Sequence, residues 1–342
     1  MSTDLRIGVI GLGLMGTDHA ERLVMRVSGA RLVAVSDPDA TRGEALAGRF
    51  EGVRSIADPL DLVADDTVDA VLIASPGFAH EEQVLACIEH GKPVLCEKPL
   101  TMDAASSLRV VEAERAGGRA LVQVGFMRRF DPEYADLKAV LDTGALGRTL
   151  LVHNVHRNRS AGPDFRSEMI VRDSLVHEVD VCRWLFGEEI SDVTILAPRP
   201  TSHAPEGALD PQVAVFRMAG GGMATTEVFV NSQIGYEVRC EAVGERGNAT
   251  IGLGQSLLLR QSGRYGGSVP DDFRRRFARA YDIEVQAWVD ASHRGEVVGP
   301  TAWDGYAAVC ACDAGLASLR TGAAVSVEMA SRHGTTGTPS RT

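Results

Sequence analysis

Over the first 125 positions the apolar residues concentrate in short, largely apolar runs at 5–10, 31–35, 68–74, 93–96 and 120–124. Runs of that length bounded by turn residues read as buried strands. Between them, residues 17–26, 79–89 and 104–115 have helical character, and a further helix is expected to start near Asp39. Strands alternating with helices predict right-handed βαβ crossovers and a parallel sheet covered on both faces. After Val124 the rhythm changes. The pattern predicts a helix over 132–141, an alternating strand over 150–156, a polar irregular stretch over 157–166 and a helix over 170–186 stopped by Gly187. Strands follow at 190–196, 213–218, 223–230, 236–243, 248–251 and 257–261, then helices at 273–293 and 303–320.

Gly220-Gly221-Gly222 and Gly244-Glu245-Arg246-Gly247 are hairpin-type connections, so the later strands are expected to form one large, mostly antiparallel open sheet. One face of it would pack on helices. Val228-Phe229-Val230 and Leu257-Leu258-Leu259 look too apolar for the other face to stay bare, which predicts a homo-oligomer assembled through that sheet. Two domains are expected, over 1–124 and 125–330, with the 303–320 helix packing back on the first and a small, polar, disordered tail from 331.

The turn after the first strand is Gly11-Leu12-Gly13-Leu14-Met15-Gly16. A G-x-G-x-x-G between a strand and a helix is the dinucleotide-binding fingerprint: one glycine for the tight turn, one for approach of the pyrophosphate, one for close helix–strand packing. The first domain is therefore expected to be a Rossmann domain, with Gly11, Gly13, Leu14, Met15 and Gly16 cradling the cofactor. Asp37 ends the second strand 21 residues after Gly16, where an acid bonds the adenosine ribose and repels a 2′-phosphate. This favours NAD over NADP, against the simpler possibility that Asp37 caps the following helix. Ser75, His80, Glu97 and Lys98 lie at or just beyond strand ends on the ligand-facing edge and are further candidate cofactor contacts.

Two segments carry chemistry. Cys96-Glu97-Lys98-Pro99 puts a lysine just past a buried strand. Asp173 and His177 stand four residues apart on one predicted helix, a spacing that shares a face and would raise the imidazole pKa. Oxidising an alcohol requires hydride loss from carbon and proton loss from oxygen. NAD accepts the hydride, His177 can take the proton, and Lys98 can hold the oxygen.

Composition narrows the classes. The net charge of −11 argues against a nucleic-acid surface, and the one basic cluster, Arg274-Arg275-Arg276, follows two aspartates. No run approaches the roughly 20 apolar residues of a membrane span, and the start of the chain lacks a signal-peptide pattern, so a cytoplasmic location is expected. The six scattered cysteines read as reduced buried thiols, and Cys310-Ala311-Cys312 lacks the companions of a metal site.

The glycine turn, Glu97-Lys98-Pro99 and Asp173-x-x-x-His177 together resemble the Gfo/Idh/MocA oxidoreductases over nearly the whole chain. Segments 123–131, 156–158, 235–241, 280–284 and 300–306 are similar to the myo-inositol 2-dehydrogenase family. The resemblance implies NAD-dependent oxidation of myo-inositol to scyllo-inosose by a tetramer. It implies Lys98, Asp173 and His177 as the catalytic triad, with Arg128, His156, Asn158 and Tyr236 lining a cyclic-polyol site. Other readings are a dehydrogenase of another inositol isomer or sugar, an NAD-dependent glycosidase of the same superfamily, and a non-catalytic NAD-binding regulator.

Overall fold

The computed structural model describes residues 4–253 and 259–332. The first half runs β1 (Leu5–Ile10), α1 (Leu14–Met25), β2 (Ala30–Ser36), α2 (Ala40–Ala47), β3 (Arg54–Ser55), α3 (Pro59–Ala64), β4 (Ala70–Ile73), α4 (His80–Glu89), β5 (Val94–Glu97), α5 (Ala104–Gly117) and β6 (Val122–Gly125). Its six strands are all parallel in the order β3-β2-β1-β4-β5-β6. The order reverses at β1, so the crevice above β1 and β4 is the place where such sheets take a ligand. β1, β4 and β5 are buried on both faces over most of their length, which is why their sequences are mainly apolar, with Arg6 near the start of β1 and Glu97 at the end of β5 as the charged exceptions. β3 and α3 were not among the expected elements. β3 is only two residues, while α3 carries a readable start in Asp58, which caps Leu60 N–H, followed by Pro59.

The second half runs α6 (Pro132–Asp142), β7 (Thr149–Arg157), α7 (Ser167–Met169), a π-helical segment (Ile170–Leu175), α8 (Val176–Phe186), β8 (Ile190–Leu196), β9 (Gln212–Met218), β10 (Met223–Phe229), β11 (Glu237–Gly244), β12 (Gly247–Ile251), β13 (Leu259–Gln261), β14 (Arg264–Gly266), α9 (Phe273–Arg294), α10 (Ala302–Thr321) and β15 (Val325–Ser326). Seven strands form the sheet β12-β11-β7-β10-β9-β8-β15. Every pair in it is antiparallel except β7 with β10. The 257–261 strand was expected in this sheet; among the described residues β13 pairs instead with β14 alone. Leu257 and Leu258, and the tail from 333, lie outside the described residues.

The inner face of the second sheet, including Val152, Asn154, His156, Ala224, Val228 and Val238, is buried. The 228–230 run is not apolar toward one side: Val228 and Val230 point inward, and only Phe229 of the three looks out, half-buried. Pleating sends alternate residues to opposite faces. The C-terminal helices tie the sheets together. Val285, Trp288 and Val289 of α9 pack on Leu72 and Leu95 of the first sheet. Gly305 of α10 passes so close to Leu100 that a Cβ would sit 2.7 Å from it. Farther along α10, the Ser318 hydroxyl accepts a 2.9 Å hydrogen bond from Ile195 N–H of β8. Among the described residues no helix is long and apolar enough to cross a membrane.

Candidate active site

The cofactor side is built by the turn before α1. Gly11 has φ +83°, and a Cβ there would lie 2.3 Å from Ser75 N; a Cβ on Gly16 would lie 1.7 Å from the Gly11 carbonyl oxygen. Neither position admits a side chain. A Cβ on Gly13 would meet nothing within 4 Å, so its backbone faces open space at a helix N-terminus that no side chain caps. Free N–H groups there suit a pyrophosphate. Leu14 is exposed at the same edge, and Met15 is partly buried beside it.

Asp37 is buried at the end of β2. Its carboxylate accepts from Leu12 N–H at 2.7 Å and Asp39 N–H at 2.9 Å, with Arg42 Nη1 at 3.3 Å. The cap of α2 is Asp39, which accepts from Thr41 N–H, so Asp37 is not spent on that task. Ser75 and His80 are already committed. The Ser75 hydroxyl donates to Gln83 at 2.6 Å, and the two ring nitrogens of His80 lie 2.8 Å from the carbonyls of Pro99 and Ser75. With 1 % of its surface accessible, His80 braces the loops after β4 and β5; it has no free face for the direct cofactor contact expected from the sequence.

Lys98 stands one residue beyond β5, and its ammonium donates to the backbone carbonyl of Asp173 at 2.9 Å. The expected Asp173–His177 pair does not form. Asp173 lies in the π-helical segment, whose wider turns break the i,i+4 alignment of an α-helix. No hydrogen bond joins the two side chains, and His177 Nδ1 has no partner. The imidazole pKa therefore moves opposite to expectation: burial pushes it well below its ordinary value, and the charges of Lys98, Arg128 and His156 push it further. Burial raises the Asp173 carboxyl, with Lys98 and then Arg172 opposing. A buried imidazole kept neutral can accept a proton at neutral pH.

The remaining polar wall comes from β7 and α8. His156 faces inward from β7, its ring 6.3 Å from that of His177 and 5.7 Å from that of Tyr236. Its Nδ1 lies 3.2 Å from Glu178 and 3.3 Å from Arg128 Nη2, which leaves Nε2 as the unengaged nitrogen. Burial pushes the Tyr236 phenol up to about 12. Asn158, just past β7, has a buried Oδ1 without a partner. Arg128 departs from its expected place at the pocket surface. It is 1 % accessible and closes an ion pair with Glu178, so it can act on a ligand through the neighbours it holds, His156 among them. For the Glu178 carboxyl, burial acts upward, but Arg128 and then His156 outweigh it and the net shift is downward.

Glu178 was not singled out in the sequence, nor was the adjoining network in which Arg129 bonds Asp180 and Asp304. The available signal was a helix, 176–183, that is buried all round yet carries charges. Charges in such a helix must be paired.

The chain matches two consecutive family models. Residues 5–126 match the GFO/IDH/MocA oxidoreductase family, NAD-binding Rossmann fold, and residues 134–250 match the GFO/IDH/MocA C-terminal domain. The chain belongs to this family. Its first domain is an NAD-binding Rossmann domain. It is 54 % identical to inositol 2-dehydrogenase 4 of Saccharopolyspora erythraea over 97 % of this chain and 98 % of that one. It is 52 % identical to the inositol 2-dehydrogenase of Mycolicibacterium gilvum over 96 % and 95 %. Among solved structures it resembles the myo-inositol dehydrogenase of Lactobacillus casei in complex with NAD(H) and myo-inositol. There the TM-score is 0.93 at 35 % identity, covering 98 % of this chain and 99 % of that one.

Proposed function

We propose that this GFO/IDH/MocA oxidoreductase is an NAD-dependent inositol 2-dehydrogenase that converts myo-inositol to scyllo-inosose. The observation that carries the reading is full-length similarity to inositol dehydrogenases, with Lys98, His177 and His156 converging at the ligand edge of the Rossmann sheet. NAD, when bound, supplies the hydride acceptor. The Gly11–Gly16 turn would hold its pyrophosphate and Asp37 its adenosine ribose.

The chain's own groups account for the rest. Lys98, tethered by the Asp173 carbonyl, donates a hydrogen bond to the substrate oxygen and stabilises negative charge there as the hydroxyl proton leaves. His177, held neutral, takes that proton. His156, oriented by Glu178 and Arg128, presents Nε2 to a second ring hydroxyl, and Asn158 and Tyr236 offer polar atoms to others. A site that pairs several hydroxyls discriminates against sugars lacking one.

A second reading, a dehydrogenase for another inositol isomer, has one specific support. The scyllo-inositol dehydrogenase of Lactobacillus casei also matches, with a TM-score of 0.88 at 27 % identity over 95 % of this chain and 99 % of that one. NADH formation with a panel of inositols, glucose and xylose separates the two. Assembly as a tetramer fits the open face of the second sheet, where half-buried Val213, Val215 and Phe229 lie beside the Arg157–Glu227 ion pair. A cytoplasmic location fits the six unpaired, buried cysteines.

A further inference from the structure

Behind Lys98 runs a line of buried polar groups that the chemistry above does not use. His19, on α1, is 1 % accessible. Its Nδ1 lies 3.3 Å from Arg22 Nη1 and its Nε2 lies 2.9 Å from Glu97 Oε1. A guanidinium can only donate, so Nδ1 accepts and the ring proton sits on Nε2, from which it is donated to Glu97. Arg22 is itself fixed by Asp282 of α9 at 2.8 Å and Asp18 at 2.9 Å, over the ring of Tyr281. At the other end, Glu97 Oε2 accepts from the Lys98 backbone N–H at 3.3 Å.

Two features confine Glu97. On the adjacent strand β6, a Cβ at Gly125 would lie 3.2 Å from both its Cα and its Oε2, so any side chain there would press on the carboxylate. The second buried carboxyl facing the cluster, Glu284 of α9, is fully inaccessible and neither of its oxygens has a hydrogen-bond donor or acceptor. Two neighbouring buried carboxyls do not both ionise. Glu97 has the donors and Glu284 has none, so the proton resides on Glu284 and the charge on Glu97. Burial, with the Glu97 charge adding to it, likewise pushes the Glu284 carboxyl well upward. Joining α1 to β5 with an apolar contact would cost less than burying a guanidinium, an imidazole and a carboxylate. What these groups add is a fixed direction toward the residue before Lys98.

We propose that His19 is a positioning residue for the dehydrogenase reaction: with its tautomer set by Arg22, it clamps Glu97 and so presents Lys98 from a rigid strand end. The proposal rests on the reading of Lys98 as the group that holds the substrate oxygen. Small misplacements of such a group lower turnover strongly.

The test compares His19→Leu, His19→Gln and His19→Asn in the full-length protein, with Lys98→Ala alongside. kcat, both KM values and the thermal unfolding midpoint are measured with NAD and myo-inositol. Glutamine can accept from Arg22 and donate to Glu97; asparagine is too short to span both, and leucine does neither. The expected result is a kcat about tenfold or more lower for His19→Leu, with the KM for myo-inositol changed less than about threefold. His19→Gln should recover to within about threefold of the wild-type kcat, irrespective of the order of unfolding midpoints. A His19→Leu enzyme within about twofold of wild type, or a His19→Gln enzyme as slow as His19→Leu, overturns the proposal. Should His19→Leu fail to fold, asparagine slower than glutamine by about tenfold supports it and equality overturns it. An active Lys98→Ala enzyme overturns the reading of the lysine itself. An inactive Lys98→Ala beside fully active His19 variants overturns only the role of His19.

Discussion

Replacing Arg128 by methionine should separate stability from activity in a way that tests the architecture of the polyol wall. Arg128 is fully buried, pairs with Glu178, lies 3.3 Å from His156 Nδ1 and sits over the ring of Phe277. Methionine fills much of the same volume, so the cavity term is small and the loss is mainly electrostatic. Glu178 would be left 0 % accessible with only His156 as partner. Removing one member of a buried ion pair costs about 3–5 kcal/mol, because the orphaned charge must be protonated or solvated. The double variant Arg128→Met/Glu178→Met removes both charges and should regain all but about 1 kcal/mol, or exceed the wild type. Activity should not follow. In the double variant His156 Nδ1 has neither partner, and kcat/KM for myo-inositol should stay about 10–100-fold low. Urea unfolding at one fixed protein concentration, with the slope unchanged between variants, reads the first quantity; steady-state kinetics reads the second. A single variant within about 1 kcal/mol of wild type would refute the claim that Arg128 and Glu178 form a buried, interdependent pair. So would a double variant with full activity.

Three further outcomes are expected. The folded-state pKa of His177 lies below the unfolded value of about 6.5. On acidification the unfolded chain therefore binds the proton first, and the stability due to this group is present above about pH 6.5 and lost as pH falls from there toward the folded value. The acid limb of kcat/KM should accordingly lie well below 6.5, and a limb at or above that value would contradict a neutral, desolvated base. Asp37→Ser should free Arg42, now 3.3 Å from the carboxylate, to meet a 2′-phosphate; the NADP-to-NAD ratio of kcat/KM should rise by about tenfold or more, and an unchanged ratio would sink the ribose assignment. Phe229→Glu, on the open face of the second sheet, should lower the assembly mass measured by light scattering if that face is the interface.

What could be read from the sequence was what local physics dictates. The glycine turn, the acid ending β2 and the lysine past β5 follow from steric and positional rules that need no knowledge of the distant chain. The alternation of apolar runs with helical stretches was enough for the parallel sheet, and hairpin-type turns for most of the antiparallel one. The misses at the site have two causes, a local irregularity and contacts between distant segments. Asp173 and His177 have helical spacing, but the π-helical segment that separates them is invisible to periodicity. The burial of Arg128 behind His156 depends on Glu178, a partner 50 positions away, and that of His80 on the Pro99 carbonyl, 19 positions away. The parallel pairing of β7 with β10 unites segments separated by the α8 helix and two strands. Such pairings are tertiary facts, and no window of sequence contains them.

Lys98 and His177 serve NAD-dependent oxidation of myo-inositol in the proposed mechanism. It is tested most directly by NADH formation from purified protein with NAD and a panel of myo-, scyllo- and D-chiro-inositol, glucose and xylose, with Lys98→Ala in parallel. Rapid NADH release is expected with myo-inositol, much slower release with the other polyols and with NADP, and a loss of about a hundredfold or more in the lysine variant. NAD binding without NADH from any polyol, or a Lys98→Ala enzyme turning over at the wild-type rate, would contradict it.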